Sequence, residues 1–244
     1  VSELTVLGSC GAWPEPGRAC AGFLLSHEGF RLVLDLGYGT IGALLGRCPR
    51  GEVDAVIVTH RHPDHCVDVS ALARVRHYEA PDRPKIPLHC EPGVLDVLRA
   101  LEPRPDPTTV FEVRAPEPGR LGPFRLEPIA LPHHVPVHGI RLEAPGLTLA
   151  YTGDCGPTRA LRDLARDADL FIADATLQRQ PPEGSERNVM TATEATTWAQ
   201  AAGARRLLLT HIWPGSDRAV SAAQARAAFD GEVLVAEEGL VVAL

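Results

Sequence analysis

Six residues constrain this chain more than any other stretch. His60-Arg61-His62-Pro63-Asp64-His65 place four potential metal ligands on one short segment. The segment follows the apolar run Val53 to Val58, which reads as a buried strand, so the ligands belong to the loop at its end. Neutral imidazoles suit zinc and related ions, and a carboxylate adds a hard oxygen donor. Crowding them on a tight loop lets one segment serve two ions. A surface loop merely rich in histidine is the plain alternative, but it calls for no partners elsewhere, and this chain supplies them. A His-rich run spans Leu131 to His138, the apolar strand Leu149-Ala150-Tyr151 leads through Thr152-Gly153 to Asp154, and the strand Arg206 to Thr210 ends in His211.

Composition narrows the setting. At 244 residues the chain is one larger domain or two small ones, with length enough for a substantial core. A net charge of −7 argues against a grip on long nucleic acid, which needs clustered Lys and Arg. A small anionic substrate stays compatible, because metal ions bring their own positive charge. No run of eighteen apolar residues appears, so no membrane span is expected. Val1 to Leu7 reads as a strand, not a secretory signal, and the six cysteines show no C-x-x-C spacing. Together these predict reduced thiols in a cytoplasmic protein.

Strands are expected at Leu4–Leu7, Gly22–Ser26 and Arg31–Leu36, with His27-Glu28-Gly29 as a hairpin turn. An amphipathic helix is predicted from Cys66 to Tyr78 and another from Val94 to Leu101. The proline-dense segment 102–123 reads as a rigid connection, with a short strand at Thr109–Val113. Thr191-Ala-Thr-Glu194 and Ser221-Ala-Ala-Gln224 both read as capping boxes that start helices. Strand Leu170–Ala173, helix Thr191–Ala202 and strand Arg206–Thr210 form a βαβ-like succession.

The pattern H-x-H-x-D-H, followed by the later His, Asp and His motifs, resembles the metallo-β-lactamase fold superfamily over nearly the whole chain. That resemblance implies an α+β four-layer αββα sandwich, with residues 1–244 as one hydrolase domain of two similar halves joined near 102–123. It selects His133, six residues before Gly139, from its histidine-rich run. It implies one metal held by His60, His62 and His133, a second by Asp64, His65 and His211, and Asp154 shared between them. Two divalent ions follow, zinc by expectation, with manganese or iron suited to the same ligands. Asp35, in Asp35-Leu36-Gly37, is expected to support the metal loop by hydrogen bonds without touching metal. The loop Gly8 to Pro14 would overhang the site.

His133-x-Val-Pro-x-x-Gly-x-Arg141, Tyr151-Thr-Gly-Asp154-Cys-Gly-Pro157, Phe171-Ile-Ala-Asp174-Ala-Thr176 and Leu209-Thr-His-Ile-Trp-Pro214 look most like the branch of tRNA 3′-processing nucleases and small bacterial cyclic-nucleotide phosphodiesterases. No long glycine-rich or basic insertion of the nuclease kind is present. The resemblance therefore implies hydrolysis of a small phosphodiester, with cyclic 3′,5′-AMP leading, by a hydroxide bridging two metals and oriented by Asp64. Phosphodiesterases of this branch usually carry Glu at the position of Asp174 and His at that of Val189. These departures shift the leaving-group proton to water, His134 or His138, or point to acyl hydrolysis of a lactone, thioester or β-lactam. A metal-binding protein without turnover is the remaining alternative. The expected partners are a small-molecule substrate, no long nucleic acid and no membrane. Homodimers are common in the family, and no residue here demands one.

Overall fold

The computed structural model describes residues 2–244. The chain divides into two compact units, one formed by residues up to Ser9, 13–116 and 237–243, the other by 10–12, 117–236 and 244. The main division, between Pro116 and Glu117, falls inside the proline-dense segment.

In the first unit, β1 (Ser2–Gly8), β2 (Gly22–His27) and β3 (Phe30–Leu36) run antiparallel. The turn between the last two holds Glu28 at φ 51° and Gly29 at φ 84°, the pair of left-handed residues that a two-residue hairpin requires. Helix α1 (Thr40–Arg47), β4 (Ala55–Ile57), α2 (Pro63–Cys66), α3 (Val69–Glu79), β5 (Ile86–His89), α4 (Pro92–Leu101) and β6 (Phe111–Arg114) follow. With β14 (Val241–Ala243) the strands form a seven-stranded sheet ordered β14-β1-β2-β3-β4-β5-β6, parallel from β3 to β6. Parallel neighbours need crossovers, and the helices provide them. Val33, Val56 and Leu88 from the strands share one buried core with Leu44, Leu72 and Leu98 from the helices.

Two local expectations change here. The single helix predicted from Cys66 to Tyr78 is two, broken at Val67-Asp68. The Asp68 amide donates to the Leu36 carbonyl at 2.9 Å rather than back along a helix, and its carboxylate accepts the Ile41 amide, so it anchors the start of α1 instead. The strand predicted at Thr109 begins at Phe111, because Pro107–Thr109 form a 3₁₀ turn whose Thr108 amide donates to Asp106.

In the second unit, β7 (Gly119–Leu121), β8 (Phe124–Leu131), β9 (Val137–Ala144) and β10 (Leu147–Tyr151) run antiparallel. Then come α5 (Ala160–Leu164), β11 (Leu170–Asp174), α6 (Ala192–Ala202), β12 (Arg206–Thr210), α7 (Arg218–Arg226) and β13 (Glu232–Val235). The sheet order is β13-β12-β11-β10-β9-β8-β7, parallel from β10 to β13. Phe171, Leu207 and Leu209 pack with Ala195, Ala199 and Phe229 in its core.

The capping box at Thr191 forms. Its hydroxyl accepts the Glu194 amide at 3.2 Å and the Glu194 carboxylate accepts the Thr191 amide at 2.9 Å. The one expected at Ser221 does not. Helix α7 starts three residues before it, where the Asp217 carboxylate accepts the Ala219 amide at 2.8 Å, and Ser221 lies buried inside the helix. The chain leaves the turn at Pro214-Gly215 and takes the first good cap it meets. Among the described residues, no helix is long and apolar enough to cross a membrane.

Candidate metal centre

Each unit carries its own set of donors at strand ends, those after β4, β10 and β12 at the carboxyl ends of strands with a parallel neighbour and His133 after the antiparallel β8. In the first unit, β4 ends at Ile57 and the chain passes through Thr59 into His60. Asp35, fully buried at the end of β3, organises the loop. Its carboxylate accepts the Thr59 amide at 2.7 Å, the Thr59 hydroxyl at 2.9 Å and His65 Nδ1 at 2.7 Å. A carboxylate partner places the His65 proton on Nδ1 and leaves Nε2 as the lone-pair nitrogen. The Thr59 hydroxyl has one proton and directs it to Asp35, so it accepts from His60 Nδ1, 3.1 Å away, and fixes the same tautomer there. Two of the sequence candidates are thus turned by one carboxylate.

The remaining distances fit metal donors better than hydrogen bonds. His60 Nε2 faces His62 Nδ1 at 3.1 Å, close to the roughly 3.3 Å separating two imidazole nitrogens on one tetrahedral zinc. His65 Nε2 lies 3.6 Å from the Asp64 carboxylate. The loop comes close to the chain after β3: a Cβ on Gly37 would lie 1.8 Å from the Asp64 carbonyl oxygen, so only glycine fits there.

The second unit repeats the device. Asp174, the last residue of β11, accepts the Thr176 hydroxyl in a short hydrogen bond, the Thr176 amide at 2.9 Å and the Met190 amide at 2.9 Å. The Thr176 hydroxyl lies 2.8 Å from His211 Nδ1. A carboxylate–hydroxyl–imidazole relay again leaves Nε2 as the donor nitrogen. His133 Nδ1 donates to the Asn188 carbonyl at 2.7 Å with the same result. Asp154 then reaches both rings with different oxygens, Oδ1 at 3.2 Å from His211 Nε2 and Oδ2 at 3.8 Å from His133 Nε2. That is the placement a bridging carboxylate needs. Gly11, from the loop expected to overhang the site, leaves room for His211, since a Cβ there would stand 2.9 Å from the ring.

The other sequence candidates are placed differently. Asp174 is fully buried with both oxygens accepting, so it acts on the site through Thr176 and His211. His134 is exposed, its ring 5.1 Å from that of His133 and its Nδ1 3.2 Å from Asn188 Nδ2. His138 is half-buried on β9. Sequence reasoning missed Thr59, Thr176 and Tyr38. A threonine beside a strand-ending ligand was the available signal for the first two. The Tyr38 phenol is pushed up by burial and then by the Asp64 carboxylate. Burial, followed by Asp35 and Asp64, pushes the Cys66 thiol up to about 12, so it is a neutral packing group beside the loop.

Residues 33–212 match the family described as a β-lactamase superfamily domain. The chain belongs to that superfamily, and its two mixed sheets with flanking helices have the metallo-β-lactamase fold. Fold and donor set together define a metal-dependent hydrolase. The chain is 35% identical over 246 residues to an uncharacterized protein of Mycobacterium leprae, covering 95% of this chain and 84% of that protein. It is 30% identical over 296 residues to ribonuclease Z of Haloferax volcanii, covering 96% and 92%. In structure it is similar to the metallo-β-lactamase fold protein YhfI of Bacillus subtilis, with a TM-score of 0.88, 27% identity, and coverage of 99% and 98%.

Proposed function

We propose that the two donor sets serve one pair of divalent ions, and that the protein is a phosphodiesterase acting on a small phosphodiester such as cyclic 3′,5′-AMP. In this reading His60, His62, His133 and Asp154 would hold one ion, and Asp64, His65, Asp154 and His211 the other. The observation that carries this reading is the divided carboxylate of Asp154, one oxygen toward His133 and the other toward His211. Bound zinc ions would supply Lewis acidity that activates water and stabilises a phosphoryl oxygen in in-line displacement. The chain's own groups do the orienting. Asp35 holds His65 directly and His60 through Thr59, and Asp174 holds His211 through Thr176, so three imidazoles share one tautomer, while Asp64 adds negative charge on the loop side. The leaving oxygen takes its proton from water or from His134 or His138. Kinship with a ribonuclease by name supports phosphodiester chemistry, and the net charge of −7 favours a small substrate over a long polyanion.

The ribonuclease kinship also favours a second reading, in which the phosphodiester belongs to RNA. Product analysis decides. Protein loaded with zinc or manganese is given cyclic 3′,5′-AMP, a tRNA precursor, and a panel of lactones and thioesters, beside an Asp154→Ala control. Release of 5′-AMP that disappears in the control supports the proposal. Cleavage of the RNA alone moves the substrate to the second reading, and turnover of acyl substrates alone overturns both.

A further inference from the structure

The first unit has a second charged cleft, at the opposite strand ends from the metal loop. Its volume is about 260 Å³, and Arg31, Glu52, Asp54, Arg76, Arg83 and Lys85 line it. Arg31 is the second residue of β3, Asp54 precedes β4, Lys85 precedes β5, and Arg76 stands in the last turn of α3. Four cations therefore meet two carboxylates, in a chain whose net charge is −7. Both carboxylates are already engaged. Glu52 accepts Arg50 at 2.9 Å and Arg83 at 2.8 Å through the same oxygen, and Asp54 accepts the Arg31 amide at 2.8 Å.

Arg76 is the unusual member. It is only 5% exposed, its Nη2 donates to the Pro84 carbonyl at 3.0 Å, and its buried Nε has no acceptor. Among the described residues, no carboxylate stands within ion-pair distance of it. Its stem is held in place: Gly51, at φ 65°, would set a Cβ 2.6 Å from Leu72 and 3.2 Å from Arg76 Cγ, so only glycine leaves that passage. A cation in the last turn of α3 complements the helix dipole. That accounts for its sign, but not for a sealed guanidinium donor without an acceptor, nor for the convergence of Arg31, Arg83 and Lys85. Burying a charged group without a full set of partners is costly, and phosphate oxygens suit guanidinium forks.

We propose that this cleft binds a small phosphate-bearing anion of the pyrophosphate class, with Arg76 as its buried anchor and Arg83 and Lys85 at its rim. The site is independent of the metal centre and of the substrate proposed there.

Calorimetric titration of the chelator-treated full chain with inorganic pyrophosphate tests it, since removing metal removes the competing attraction of the donor sets. The expected result is saturable binding, weakened at least tenfold by the double substitution Arg83→Ala and Lys85→Ala, and tightened by Glu52→Gln, which removes the competing carboxylate. Arg83 is half exposed, so its loss leaves the core intact. Absence of binding to the chelator-treated chain, or equal binding by the double variant, overturns the proposal. Weaker binding by Glu52→Gln does so as well, because it would show that the carboxylate serves structure and does not compete with the anion.

Discussion

Asp35 and His211 hold φ at 56° and 58°, a region that costs a non-glycine residue free energy and persists only where the surroundings enforce it. Here the enforcing contacts are visible. Asp35 is tied to Thr59 and His65, and His211 to Thr176 and Asp154. Replacing Asp35 by Asn keeps the shape but puts an amide where His65 Nδ1 needs an acceptor. Metal affinity should fall by about 10- to 100-fold, measured by competition with a chromophoric chelator. Thr176→Val, which cuts the relay between Asp174 and His211, should lower it by a comparable factor. Unchanged affinity in either variant would remove that residue from the support of the site. The ligand types were legible in the sequence because few side chains bind metal and their spacing on one loop is restrictive. The threonines were not, since threonine is ordinary at strand ends and only the folded chain shows where its hydroxyl points.

Helix starts show where sequence patterns mislead. The S-x-x-Q pattern at Ser221 satisfies a capping rule, yet the cap belongs to the residue that first leaves extended backbone for helix, and that is Asp217 at φ −78° and ψ 108°. Asp217→Ala should cost about 1 kcal/mol in urea denaturation. Ser221→Ala should be neutral or slightly stabilising, because the Ser221 hydroxyl is buried without a partner. A reversed order would restore the cap to Ser221. The break between α2 and α3 has a similar origin. Asp68 looks like one more polar residue on a helix face, and only the long-range bond to Leu36 reveals it as an anchor. By contrast, the strands before His60 and His211 were readable because continuous apolar runs of that length suit buried parallel strands.

At the scale of the whole chain, all six cysteines are buried and none is in a disulfide, and burial pushes Cys90, like Cys66, up to about 12. A thiol reagent such as Ellman's should therefore leave the native protein nearly untouched and modify six sulfhydryls after denaturation. Rapid reaction of the native protein would place at least one thiol outside the core. The sequence showed the order of the motifs. It did not show the Arg76 cleft, whose residues are scattered from position 31 to position 85 and meet only at the strand ends.

His211 follows β12 directly, His60 and Asp154 come three positions after the ends of β4 and β10, and Asp174 closes β11, so strand ends keep these groups in register. Loops can then lengthen or shrink without moving them. The alignment with the Haloferax ribonuclease Z spans 296 positions for a chain of 244, which is the trace such growth leaves between relatives. For descent with modification, this separates two inheritances. Selection can rewrite what is admitted to the centre by insertion or trimming while the chemistry is passed on intact, so lineages on this scaffold can part in diet long before they part in reaction.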